Sequence, residues 1–108
     1  MYKIVLTIPE DYSDRIMDAI DSVLGEVYPG YRRAFCITDS IGTWIPTEGS
    51  DPFIGEKGII STVKEKRLEF VVSDERLKEV LTVISEVHPY EQPAIDVIPL
   101  KEWRSYLE

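Results

Sequence analysis

An α+β domain built in the order β-α-β-β-α-β is what this sequence predicts, on three observations. Two stretches place apolar residues at helical spacing: Ile16, Met17, Ile20, Val23 and Leu24 in one, Leu77, Val80, Leu81, Ile84 and Val87 in the other. Four stretches, at 2–8, 31–38, 59–72 and 94–100, are apolar, β-branched or alternating. Turn residues separate these blocks, so that strands and helices interleave along the chain.

Tyr2 to Ile8 reads as a buried strand, stopped by Pro9. Asp11 to Leu24 reads as a helix with an acidic first turn, Asp14, Arg15, Asp18, Asp21 and Ser22 on its outer face, and Gly25 at its C-terminal end. Beyond the turn Tyr28-Pro29-Gly30, Tyr31 to Thr38 is expected to form the second strand. Residues 39–58 then form a long loop between the second and third strands. Gly42, Pro46, Gly49, Pro52, Gly55 and Gly58 supply its turn chemistry, and Trp44, Ile45, Phe53 and Ile54 mark it as packed.

Ile59 to Val72, with the charged middle Lys64-Glu65-Lys66, is the third strand. Ser73 stands as an N-cap to the second helix, whose first turn carries Asp74 and Glu75. In the fourth strand, Ala94 to Leu100, alternation puts Ile95, Val97 and Pro99 on one face and Ala94, Asp96, Ile98 and Leu100 on the other. Lys101 to Glu108 is expected to form a short C-terminal helix with Trp103, Tyr106 and Leu107 on its apolar side. The element order is that of the ferredoxin-like fold, a four-stranded antiparallel sheet with both helices on one face.

Composition bounds what such a domain does. With 108 residues, 44% of them hydrophobic, residues 1–108 hold enough apolar mass for one core and one domain. The balance of 12 basic to 20 acidic residues leaves a net charge of −8, which repels phosphate backbones and anionic lipid surfaces. Nucleic acid and membranes are therefore not expected partners. The single cysteine, Cys36, excludes an internal disulfide and a thiolate zinc site, and reads as a small buried hydrophobe. No leader and no spanning segment of the roughly 18 apolar residues a membrane helix needs is expected, so the chain is read as cytoplasmic.

The stretch His88-Pro89-Tyr90-Glu91-Gln92-Pro93 concentrates the candidate chemistry, because two prolines stiffen a turn that carries the only histidine, a tyrosine and a carboxylate. His88 has two readings: metal ligand or proton carrier, or a histidine that bonds the last carbonyls of the preceding helix. Glu91 and Asp96 are a possible carboxylate pair. No nucleophile, base and orienting group can be assembled, so no catalytic residue is assigned.

His88-Pro89-Tyr90-Glu91-Gln92-Pro93-Ala94-Ile95-Asp96-Val97 resembles the HPYE-x-PA-x-DV motif of the PII/CutA-like domain inserted in many Nif-three-like proteins of the YqfO type. The run from Gly42-Thr43-Trp44-Ile45-Pro46 through Glu48-Gly49 to Pro52-Phe53-Ile54-Gly55-Glu56 is similar to the glycine- and aromatic-rich loop of the same domain. With the flanking elements, the resemblance covers essentially the whole chain. It implies a PII/CutA-like ferredoxin fold assembled as a homotrimer, with the loop and the HPYE turn near subunit boundaries. It implies no settled activity. Chemistry of the dinuclear metal domain that surrounds this insert in full-length relatives is not expected here. Two positions depart from the pattern: Ala34 stands where a cysteine is usual and Ile45 where an arginine is usual.

The expectation is a noncatalytic trimeric module that binds a small ligand or divalent cation at intersubunit clefts. His88, Tyr90, Glu91, Trp44, Glu48, Phe53 and Glu56 are its candidate ligand-binding residues, and His88 with Glu91 its candidate metal pair. Trp44 and Phe53 are expected as anchors in a neighbouring subunit. The alternatives are a purely structural oligomerisation module and a metal-handling protein of the divalent-cation-tolerance type.

Overall fold

A computed structural model describes residues 1–108. The strands are β1 (Tyr2–Pro9), β2 (Cys36–Trp44), β3 (Ser61–Val72) and β4 (Ile95–Pro99); the helices are α1 (Ser13–Leu24) and α2 (Leu77–Val87). The strands join into one sheet of order β2-β3-β1-β4 in which every neighbouring pair is antiparallel. This is the ferredoxin-like α+β arrangement read from the element order.

Alternation decides what each face holds. In the β1–β3 register Ile4 opposes Phe70 and Leu6 opposes Leu68, and these residues point to the helices together with Ile8 and Val72. Ile16, Met17, Ile20 and Leu24 of α1 and Val80 and Ile84 of α2 close over them to form the core. Each fully buried aliphatic side chain there contributes about 1.5–3 kcal/mol relative to an exposed one. Both helices start through a 3₁₀ turn, at Glu10–Tyr12 and Asp74–Arg76, later than the sequence pattern alone implies. Ser73 makes no side-chain cap bond; its carbonyl instead accepts from the Arg76 N–H at 3.1 Å.

β2 is displaced from its expected position at 31–38. Tyr28 and Tyr31 close a small turn, and Arg33 takes a left-handed φ of 53°. Arg32 then pairs with Asp21 at 2.6 Å and Arg33 with Asp18, which ties this segment back to α1. Only from Cys36 does the chain run beside β3, and it stays paired through Gly42 to Trp44. Consequently the β2–β3 loop covers 45–60 rather than 39–58.

Cys36 is exposed, contrary to its expected burial, because it begins an edge strand. The C-terminal segment is a 3₁₀ turn, Trp103–Leu107, with no buried residue. Much of the face away from the helices is polar, with Lys3, Thr7, Thr38, Glu65, Arg67, Glu69 and Asp96 in register across it. Ile37 and Ile41, 50% and 71% exposed, sit instead on the helix-side register of β2, beyond the part of the sheet that α1 and α2 cover.

Candidate functional site

The HPYE turn begins where α2 stops. Pro89 disfavours helical geometry at the residue before it, and His88 accordingly sits at φ −64° and ψ 127° while its N–H still caps the Ile84 carbonyl at 2.9 Å. The ring of His88 does not turn back onto the helix carbonyls. β4 pairs with β1 only as far as Leu6, and the next β1 carbonyl, Thr7 O, accepts from His88 Nε2 at 2.7 Å. His88 Nδ1 accepts from the Tyr90 N–H at 3.2 Å. This pairing defines a neutral ring protonated on Nε2, and burial pushes its pKa below the ordinary 6.5 against the opposing pull of the Thr7 carbonyl and the Glu65 charge.

Held in this way, Tyr90 reaches across the sheet end. Its hydroxyl donates to Glu65 Oε2 at 2.7 Å. Burial, and then the bond to Glu65, push the phenol pKa well above its usual value of 10.0, so the hydroxyl stays a donor. Glu65 lies on β3 opposite Ser40 of β2 and is only 4% exposed. Gly42 makes that burial possible, since a Cβ there would lie 2.2 Å from Glu65 Oε1. None of the basic side chains next to Glu65 in sequence pairs with it: Lys66 pairs with Asp39 and Arg67 with Glu69 at 3.3 Å, and Lys64 makes no ion pair.

The β2–β3 loop folds over this carboxylate. Its neck is closed by the Gly58 N–H, which donates to the Pro46 carbonyl at 2.8 Å. Gly55, at φ 104°, passes Ser61 so closely that a Cβ would meet its Oγ at 2.1 Å. Trp44 packs edge-on against Tyr90 with centroids 5.3 Å apart; Phe53 lies 6.5 Å from Tyr90 and 5.6 Å from Tyr12. Across the opening, the Asp51 N–H donates to Glu91 Oε2 at 2.8 Å. Loop, turn and sheet end enclose a cavity of about 410 Å³, with Trp44, Phe53 and Tyr90 as walls and Glu65, Thr7, Thr43, Ser50, Glu91 and Gln92 as its polar lining.

Four of the expected site residues therefore line one cavity: Trp44, Phe53, Tyr90 and Glu91. Within the chain Trp44 packs on Tyr90 and Phe53 on Tyr12 and Tyr90, because the loop is long enough to fold back on the sheet. His88 stands behind Tyr90 with both ring nitrogens engaged, so it orients the tyrosine rather than facing the cavity. Glu48 and Glu56 are exposed and outside the lining. His88 bonds Thr7 and Tyr90 and Glu91 bonds Asp51, and no group of three or more His, Cys, Asp or Glu side chains is placed to hold a metal ion. Glu91 bonds Asp51, while Asp96 lies opposite Val5 in the β1–β4 register, so the two do not form a carboxylate pair. Glu65 was missed as a site residue. Strand alternation placed it on the face away from the helices, but only pairing with Gly42 and Tyr90 buries it.

This fold is shared with the CutA proteins: CutA from Pyrococcus horikoshii superposes with a TM-score of 0.67 over 99% of this chain and 92% of its own, at 17% identity. The protein thus has the PII/CutA-like fold. In sequence it resembles a narrower group. A Bacillus cereus protein related to NIF3 aligns with a TM-score of 0.78 at 25% identity, over 94% of this chain and 26% of that protein. A protein of Halalkalibacterium halodurans named GTP cyclohydrolase 1 type 2 homolog is 34% identical over 104 residues, covering 93% of this chain and 27% of that one. The chain spans about a quarter of the length of the curated relatives it matches. Its resemblance to the PII/CutA-like domain of the Nif-three-like proteins, read first from two motifs, holds across the fold and nearly the whole sequence. No protein-family model matches the chain. No helix is long and apolar enough to cross a membrane.

Proposed function

We propose that this domain is a noncatalytic binding module that takes a small molecule in the cleft between the 45–60 loop and the His88–Gln92 turn, in a self-associated, trimeric form. The observation that carries the reading is the cavity itself. Its volume of about 410 Å³ lies within the range of small-molecule sites, and aromatic residues and a few polar ones line it. The titratable groups around it are poorly disposed for chemistry. Tyr90 is held as a donor to Glu65, and His88 spends both nitrogens on Thr7 and Tyr90, which leaves no free general base beside a nucleophile. Self-association is supported by the exposed isoleucines of β2 on an unpaired sheet edge.

Thermal-shift screening of the whole chain against small organic cations, neutral molecules, nucleotides, anions and divalent metals tests the binding reading. At least one compound is expected to raise the melting temperature saturably, with the shift reduced in Trp44→Ala. If no compound stabilises the protein, or the shift is unchanged in Trp44→Ala, the cleft is not a binding site and the oligomerisation reading replaces it.

A further inference from the structure

We infer that the cleft selects a small organic cation, an ammonium or guanidinium group on a compact apolar body, with Glu65 as its counter-charge and Trp44, Phe53 and Tyr90 as its aromatic cage. The inference rests on the binding reading of the same cavity and adds the chemical class of the occupant.

Three features of the site converge on it. Glu65 is 4% exposed, yet no Lys or Arg pairs with it, and no Lys, Arg or His lines the cavity. A carboxylate removed from water without a cationic partner is costly, and a cation entering from the cavity supplies the missing charge. One of its oxygens, Oε2, is taken by the Tyr90 hydroxyl; the other, Oε1, lies over Gly42 and accepts no hydrogen bond from the chain. Three aromatic residues line the same cavity as Glu65, with Trp44 and Phe53 set around Tyr90 at centroid separations of 5.3 Å and 6.5 Å. Aromatic side chains grouped around a site attract organic cations through the ring quadrupole, most strongly where water is excluded.

The same features argue against other occupants. An anion would meet Glu65 and Glu91 with no basic residue to offset them. A calcium ion, which takes six to eight oxygen ligands, would find only those two carboxylates in the lining, one already bonded to Tyr90 and the other to Asp51.

Isothermal titration of the whole chain with choline, its uncharged isostere dimethylbutanol, agmatine and inorganic phosphate tests the assignment. Choline or agmatine is expected to bind about tenfold or more tightly than dimethylbutanol, with phosphate not binding. In Glu65→Gln, which keeps the shape and the acceptor for Tyr90, this preference is expected to disappear. If dimethylbutanol binds as well as choline and agmatine, or phosphate binds best, the charge assignment is overturned while the binding reading stands. Absence of binding by every probe, together with a negative thermal-shift screen, overturns both. Should Glu65→Gln fail to fold, the comparison of cations with the uncharged isostere on the wild type decides the question alone.

Discussion

Gly42 and Glu65 form a pair in which one residue exists in its place because of the other. Alanine at 42 puts a methyl group 2.2 Å from Glu65 Oε1, and the carboxylate must swing away from Tyr90 to admit it. Gly42→Ala is therefore expected to lower stability by about 1 kcal/mol, the scale of one lost hydrogen bond, and to abolish cation stabilisation in the same thermal-shift experiment. Stability unchanged and ligand response intact would mean that Glu65 does not depend on the glycine. His88 makes a prediction in pH. Its folded pKa lies below 6.5, so the unfolded chain takes up the proton first as pH falls. The stability that its neutral form contributes is present above pH 6.5 and is lost as acidification proceeds from there toward its folded pKa. Urea unfolding between pH 5 and 8 should show this slope, and His88→Gln should flatten it. The HPYE motif made Tyr90 and Glu91 legible as a stiff polar turn. The tie between His88 and a β1 carbonyl was not legible, because it joins residues 81 positions apart in sequence.

At the scale of elements, the β2–β3 loop is the part whose order depends on a few contacts. Phe53 is 49% exposed and packs edge-on against Tyr12 and obliquely against Tyr90. Phe53→Ala is expected to destabilise the fold by only about 1 kcal/mol, since half of the ring is already in water. Its main effect should be faster hydrogen exchange at the Asp51 and Gly58 amides, which bond Glu91 and Pro46. Exchange at those two amides as slow as in the wild type would show that the loop is held without the ring. The helices and β1 were readable from periodicity because their apolar residues face one core. β2 was not: its nine residues run from 36 to 44 with five polar or glycine positions and an edge location, so no burial pattern marks its ends.

At the scale of the whole molecule, α1 and α2 cover one face of the sheet and leave the hairpin of β2 and β3 projecting, in a particle with extents of 54 × 26 × 24 Å. Ile37 and Ile41 lie on that uncovered part, and burying them between copies is the source of stability the proposed trimer draws on. Sedimentation velocity should find a trimer for the wild type and a shift toward monomer for Ile41→Lys, with the circular dichroism spectrum unchanged. A folded wild type that sediments only as a monomer would remove self-association from the proposal.

Periodicity, turn chemistry and the two motifs by themselves determined the fold class, the helical core residues and the location of the aromatic loop and HPYE turn, because these depend on local spacing and on the faces it creates. Tertiary structure alone decided that Glu65 is a buried carboxylate, that His88 supports rather than faces the cavity, that Trp44 and Phe53 pack within their own chain, and that Glu48 and Glu56 stand outside. Each of those outcomes follows from strand register and loop closure, which set which side chains meet across the sheet, and neither is written in the spacing of any single segment.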